Sequence, residues 1–217
     1  MLYILDKENS IVNKYLAELR DVKVQKDSMR FRRNLERIGE CSAYEISKHL
    51  NYATKEVETP LATANVEVIS DKIVLATILR AGLPLHQGLV NYFDDAECAF
   101  VSAYRSYLNE SDFEIKVEYI ATPSLEGKTL ILCDPMLASG TSMVAAYEAL
   151  CVRGGKPAHA HFVSALGCNE GVDYVLNHTN SEEVDLWVAT VDPVLNPHKY
   201  IVPGLGDAGD LCFGEKL

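Results

Sequence analysis

The chain has no CxxC pair and no HExxH helix, and the loop that follows its most apolar strand, residues 134–142, is neither a GxxxxGK[ST] nor a GxGxxG turn. Each absence removes a class of function. Its six cysteines (Cys41, Cys98, Cys133, Cys151, Cys168, Cys212) are scattered singly, several inside apolar runs, so neither structural zinc nor a disulfide framework is indicated. His159 and His161 share one face of a strand, yet no metalloprotease-type carboxylate accompanies them, and packing or solvent contact is the better reading. Without a Walker or dinucleotide fingerprint in the 134–142 loop, generic triphosphate and dinucleotide functions lose their usual support. Positive charge is scarce: 20 Lys and Arg against 31 Asp and Glu give a formal charge of −11 over 217 residues, which disfavours a broad nucleic-acid or anionic-membrane surface. No apolar stretch approaches a membrane span, and MLYILDKENS lacks the basic start and apolar core of a leader. We expect a cytoplasmic protein with no nucleic-acid and no membrane partner. No internal repeat or low-complexity linker divides the chain, which reads as one domain over 1–217.

What is there gathers in TLILCDPMLASGTS, residues 129–142. Its first five residues form a continuous apolar run with β-branched members, suited to a strand covered on both faces of a parallel sheet. Asp134 ends the run. Ala138, Ser139, Gly140, Thr141 and Ser142 are small or hydroxylated and lead into MVAAYEALCVRGG, a helix by its apolar spacing and glycine stop. Small residues let successive backbone N–H groups converge on one anion, and a helix N-terminus adds partial positive charge. The suited guest is a phosphate. A lone Asp at a strand end more often caps a turn than does chemistry. Beside a phosphate loop, a carboxylate suits the vicinal hydroxyls of a ribose, and the stretch points to a phosphoribosyl group.

In chain order, residues 9–20 place Ile11, Val12, Tyr15, Leu16 and Leu19 at helical spacing behind Asn9 or Ser10 as cap, and a second helix runs from about 28 to 47. Together they make an N-terminal helical extension of about residues 1–50. Arg30, Arg32, Arg33 and Arg37 surround the second helix, where a solvated face paired with acids is favoured over an effector site. Residues 51–70 alternate around Pro60 as a hairpin. Strands at 72–79, 98–104, 129–133, 158–166 and 185–191 then alternate with helices from LPLHQGLVNYF, MVAAYEALCV and GVDYVLNH. This is the pattern of an α/β fold, a mostly parallel twisted sheet flanked by helices with ligands at the strand carboxyl ends. Arg80, Arg105 and Asp134 follow three of those strands, and two guanidiniums at one cleft suit a bidentate clamp on a diphosphate.

Between Arg105 and Thr129, alternation through Phe113, Ile115, Val117 and Tyr119 marks a β-hairpin arm, either a closing flap or an inert surface feature. The Pro- and Gly-rich tail, about 193–217, has no helical period, but its apolar residues 200–202 and Leu205 argue against a loose terminus. Glycines beside Asp207 let backbone N–H and C=O groups read the edge of a small base.

ILRAGL (78–83), YR (104–105), DPMLASGTS (134–142) and YIVPGLGDAGD (200–210) stand in the order and approximate spacing of the uracil phosphoribosyltransferases. The chain resembles that family, of the type I phosphoribosyltransferase fold, through most of its length. The resemblance implies transfer of phosphoribosyl from phosphoribosyl pyrophosphate (PRPP) to uracil, giving UMP and pyrophosphate. It implies Mg²⁺ carried mainly on the diphosphate, near Asp207, with no direct protein ligand assigned. By position, PRPP is held by Arg80, Arg105, Asp134, Pro135, Met136, Leu137, Ala138, Ser139, Gly140, Thr141, Ser142 and Asp207. Uracil meets Ile201, Gly206, Asp207 and Ala208 largely through backbone, and Arg105, Asp134 and Asp207 are assigned to catalysis. The resemblance also implies a homodimer or higher homo-oligomer, for which the amphipathic N-terminal helices could supply the surface, and some relatives respond to a purine-nucleotide effector. Two departures stand out. The family's ATGGS is ASGTS here, placing β-branched Thr141 where a positive φ would be uncomfortable. The segment after Arg105 also leaves the family pattern. Two alternatives follow, a weakly active or inactive nucleotide-sensing regulator on the same fold and a phosphoribosyltransferase for another base.

Overall fold

The computed structural model describes residues 1–107 and 113–216, with side chains described outside 103–117. The first part of the chain supplies β1 (Leu2–Ile4), α1 (Ile11–Arg20), α2 (Ser28–Ser47), β2 (Tyr52–Glu58) and β3 (Thr63–Ile69). The middle supplies β4 (Ile73–Leu79), α3 (Leu83–Val90), β5 (Glu97–Tyr107), β6 (Phe113–Ala121), β7 (Thr129–Cys133) and β8 (Met136–Leu137). Then come α4 (Thr141–Gly154), β9 (His159–Cys168), α5 (Asn169–His178), β10 (Val184–Asp192), β11 (Val194–Leu195), β12 (Ile201–Val202) and α6 (Ala208–Phe213).

An 8-stranded sheet runs β1-β10-β9-β7-β4-β5-β6 with β8 beside β9, parallel except for the antiparallel β5–β6 pair. Its central strands β4, β7 and β9 are buried almost throughout and largely apolar because both faces are covered. Successive side chains point to opposite faces. Ile73, Leu75, Ile131, Cys133, Val163 and Ala165 pack with α1, α2 and α3, while Val74, Ala76, Leu130, Leu132, Ala160 and Phe162 pack with α4 and α5. The expected mostly parallel sheet flanked by helices is what the chain forms.

The amino-terminal helices start at well-defined caps. Ser10 Oγ accepts from Val12 N at 3.3 Å while Asn13 Oδ1 accepts from Ser10 N at 3.2 Å, and Asp27 Oδ1 accepts from Arg30 N at 3.1 Å. Their apolar stripes, Val12, Leu16 and Leu19 on α1 and Phe31, Leu35, Ile38 and Ile46 on α2, are buried against the sheet. Those stripes are therefore engaged within the chain, while Ile11, Met29 and Tyr44 of the same helices remain exposed. Residues 2–4 are an edge strand paired in parallel with β10, so the extension forms a layer and an edge of the fold.

The hairpin expected over 51–70 is present as the β2–β3 ribbon, exposed along all of β2 and closed by a turn in which Thr59 N donates to Ala62 O at 3.0 Å. β5 runs on to Tyr107 because β6 extends its pairing, so Arg105 lies within the strand rather than beyond it. The Arg105 side chain and the arm's residues 108–112 lie outside the described residues. Among the described residues, no helix is long and apolar enough to cross a membrane.

Candidate active site

The carboxyl ends of β4 and β7 and the start of α4 meet the tail at one cleft. After β4 the chain turns at once, with Gly82 N donating to Ile78 O at 3.1 Å and His86 N to Gly82 O at 2.9 Å. Gly82 has an ordinary φ of −68°. Closeness is what demands glycine there, because a Cβ would stand 2.1 Å from Thr77 Oγ1 and 2.5 Å from Ile78 O. The turn, whose Leu79–Arg80 peptide is cis, leaves Arg80 exposed at the cleft.

At the end of β7, Asp134 N donates to Val163 O at 3.1 Å and its carbonyl accepts from Ser164 Oγ at 2.7 Å, which fixes the main chain beneath the carboxylate. Asp134 Oδ1 also accepts from Met136 N at 3.4 Å. β8 then pairs with β9, and Pro135 and Leu137 are buried, so any contact of theirs with a ligand is through main chain. The loop's left-handed residue is Gly140, φ 79°, and Thr141 is the first residue of α4. Thr141 thus carries no conformational conflict, which corrects the expectation of strain at that position. Its Oγ1 lies 2.9 Å from Ser139 Oγ. A Cβ at Gly140 would meet Gly171 O at 2.7 Å, so α5 supports the loop from below.

The tail is held from behind by a charged clasp. Arg20 binds Asp192 bidentately, with both N–O distances 2.7 Å, and its Nη1 donates to Gly204 O at 3.1 Å. Gly204 N donates to Asp192 Oδ2 at 2.9 Å, and Gln25 Nε2 to Leu205 O at 3.0 Å. So braced, Ile201, Gly206 at φ 95°, Asp207 and Ala208 face the cleft. Although the tail has no helical period, residues 208–213 form α6, N-capped by Asp207 Oδ1, which accepts from Asp210 N at 3.0 Å. Fewer than two turns are too short to register as a period.

The cleft has a volume of about 430 Å³. Of the residues expected at a site, Arg80, Asp134, Met136, Ala138, Ser142, Ile201, Gly206, Asp207 and Ala208 line it. Ser139 and Gly140, in the loop between Ala138 and α4, and Thr141, the first residue of α4, do not line it. His198, Lys199 and Lys216 also line the cleft and were not singled out. The available signal was two basic side chains directly before Tyr200 in an acidic protein. Lys199 is turned by a φ of 62° and pairs with Glu170 at 3.1 Å.

The arginines of α2 are engaged elsewhere. Arg30 binds Glu18 at 2.7 Å and holds its carboxyl down to about 2, and Arg33 pairs with Glu36. Arg37 donates to Asn34 Oδ1 at 3.1 Å, and Arg32 Nη1 donates to Cys212 O at 2.6 Å. A paired helix face is the outcome, with Arg32 anchoring the tail. All six cysteines are free, and burial pushes the Cys133 and Cys212 thiols up to about 12, so they remain protonated.

The paired histidines acquire a carboxylate at the opposite end of the sheet. Asp185 lies opposite His161 across the β9–β10 ladder, and His159 Nε2 is 3.0 Å from Asp185 Oδ2. Trp187 Nε1 donates to His161 Nδ1 at 3.2 Å, and Tyr3 stacks on Trp187 at 3.9 Å. His159, His161 and Asp185 form a metal-capable group among the described residues, but the indole N–H occupies the His161 lone pair. The trio is a packed hydrogen-bonded network. Burial, followed by the nearby His159, pushes the His161 pKa down to about 4.

A family model described as uracil phosphoribosyltransferase matches residues 7–215. The uracil phosphoribosyltransferase of Porphyromonas gingivalis is 52% identical over 213 residues, 98% of each chain. That of Methanothermobacter thermautotrophicus is 40% identical over 217 residues, 99% of this chain and 96% of its own. The solved AQ2163 protein from Aquifex aeolicus is similar at TM-score 0.87 and 28% identity, over 99% of this chain and 98% of its own. A hypoxanthine phosphoribosyltransferase from Staphylococcus aureus, 15% identical, shares the fold at TM-score 0.51 over 86% of this chain and 83% of its own. With a type I phosphoribosyltransferase fold and matches that run nearly end to end, the chain belongs to the uracil phosphoribosyltransferase family.

Proposed function

We propose that the chain transfers the phosphoribosyl group of PRPP to uracil, releasing pyrophosphate and forming UMP in pyrimidine salvage. One observation carries this reading. A phosphate loop from mid-chain and a backbone-lined segment from the tail face the same cleft, with Asp134 and Asp207 both lining it.

Main-chain N–H groups around residues 138–142 take the ribose phosphate, helped by the start of α4. Asp134 takes the ribose hydroxyls, and Arg80 with Arg105 takes the diphosphate. As the anomeric C–O bond breaks, positive charge grows on the ribose and negative charge on the leaving diphosphate. Asp134 stabilises the first and the arginines the second. Main chain at Ile201, Gly206, Asp207 and Ala208 holds uracil by its edge, and this alignment supplies much of the remaining acceleration without a covalent nucleophile.

Mg²⁺ fits as a metal that arrives with the diphosphate. Asp134 and Asp207 place two carboxylates at the cleft, a set suited to an ion whose other ligands are phosphate oxygens and water. When bound, it offsets charge on the diphosphate.

We assign residues 1–217 to one catalytic domain whose base-binding segment is about 193–217. Free thiols at all six cysteines suit a reducing compartment, and we assign the protein to the cytoplasm. We assign a homodimer or higher homo-oligomer. With the apolar stripes of α1 and α2 turned inward, the exposed Tyr52, Val57, Val66 and Ile69 of the β2–β3 ribbon offer the better surface. The sensor alternative rests on the arginines of α2, which are engaged within the chain, and on the divergent segment after Arg105, of which residues 108–112 lie outside the described residues.

The test is pyrophosphate release from PRPP and Mg²⁺ with and without uracil, alongside Arg105→Ala. Uracil-dependent release that falls about 100-fold in the variant is expected. Binding of PRPP without release overturns the activity. Release that favours another base in a panel overturns the choice of uracil.

A further inference from the structure

We propose that Asp210 is a positioning residue that couples the seat of the base to the grip on the diphosphate through Arg80, an inference resting on the phosphoribosyl-transfer reading above. Arg80 Nη2 donates to Gly214 O at 3.2 Å and stands 3.6 Å from Asp210 Oδ1. Both partners belong to the tail. Asp210 lies in the first turn of α6, and Gly214 caps its far end at φ 86°. Asp210 Oδ1 is buried and accepts no hydrogen bond among the described residues, so Arg80 is the neighbour that offsets its charge. The described contacts of Arg80 engage Nη2 alone. Donors on Nε and Nη1 therefore remain for a ligand in the cleft that Arg80 lines, and a guanidinium fork can serve two anions at once.

The same short helix is joined to the base-reading turn. Asp207 accepts from Asp210 N at 3.0 Å through Oδ1 and from Leu211 N at 3.0 Å through its carbonyl. A shift of the tail that seats a base carries Asp210 with it, and Asp210 carries the guanidinium. Occupancy of one subsite therefore changes affinity at the other, and the effect is reciprocal.

The experiment titrates inorganic pyrophosphate with Mg²⁺ into the wild type, Asp210→Asn and Asp210→Glu, each with and without saturating uracil. It then measures kcat and both KM values. Uracil is expected to tighten pyrophosphate binding in the wild type, and in Asp210→Asn this coupling shrinks to within about 1.5-fold while the KM for PRPP rises about threefold. The turnover number stays within about twofold, and Asp210→Glu recovers most of the loss. In an Arg80→Gln background, Asp210→Asn adds less than about 1.5-fold to the same KM, because the pair is already broken. A KM for PRPP that is unchanged or lower in Asp210→Asn overturns the proposal. So does equal coupling in wild type and variant, or a full threefold effect in the Arg80→Gln background. Pyrophosphate binding needs no turnover, so an Asp210 effect without uracil-dependent release would reject the activity and retain the positioning role.

Discussion

The two ends of the central strands are built on opposite terms. At the amino end, His159, His161, Asp185, Trp187 and Tyr3 close on one another, and the lone pair of His161 Nδ1 is taken by an indole N–H. At the carboxyl end, Arg80 and Asp207 line an open cleft and use part of their hydrogen-bonding capacity on the protein. A His-x-His pair is the showier chemistry on paper, yet it is the end with unspent capacity that can take a ligand. Residue type therefore says less about function than whether a polar group's partners lie inside the chain.

The contrast is tested most severely at Asp134. Asp134→Asn removes charge from the ribose side of the cleft, and kcat/KM should fall about 100-fold or more with little change in unfolding midpoint. A variant that keeps its activity would put the ribose contact elsewhere.

At the amino end, stability and pH are the readouts. His161 is neutral when folded, with its pKa pushed down to about 4 from the ordinary 6.5 of histidine. Below about 6.5 the unfolded chain takes up a proton that the folded chain refuses, so this contribution is complete above that pH and is lost as pH falls toward 4. The loss should be about 3 kcal/mol. His161→Asn, which retains an acceptor for Trp187, should flatten it and leave kcat/KM within about twofold. Urea unfolding at several pH values, followed through the single tryptophan, measures the difference. Asp185, His159, His49 and Asp71 also act on this site, and an unaltered decline in the variant assigns the effect to them.

The smallest effect belongs to Thr141→Gly. The left-handed backbone sits on Gly140, so the KM for PRPP should be unchanged or slightly lower, with about 0.5–1 kcal/mol of stability lost to glycine in a helix. A large rise in KM would show that the Thr141 hydroxyl binds phosphate.

Much of this was legible in the sequence because buried parallel strands are continuous apolar runs. TLILC and KIVLATIL announce themselves, and the loop that follows needs glycine and hydroxyls where the helix begins. Other features depend on partners far away in the chain. β1 is three residues long and exists by pairing with β10. The carboxylate beside His161 comes from the register of a neighbouring strand, which no local spacing encodes. Arg105 falls inside β5 because β6 prolongs the ladder. α6 is too short for a period and is fixed by its Asp207 cap and by Arg32 from α2.

The Arg20–Asp192 clasp sits behind the base-facing turn, and its arginine grips Gly204 from 184 residues earlier in the chain. A pocket edge made of main chain has no letters of its own to respell, since every residue offers the same amide and carbonyl. What heredity can alter there is tilt and depth, and the brace sets both. With the base held there as proposed, base preference is inherited as geometry, and a lineage turning to a new base would have to rework its first helix together with its last loop.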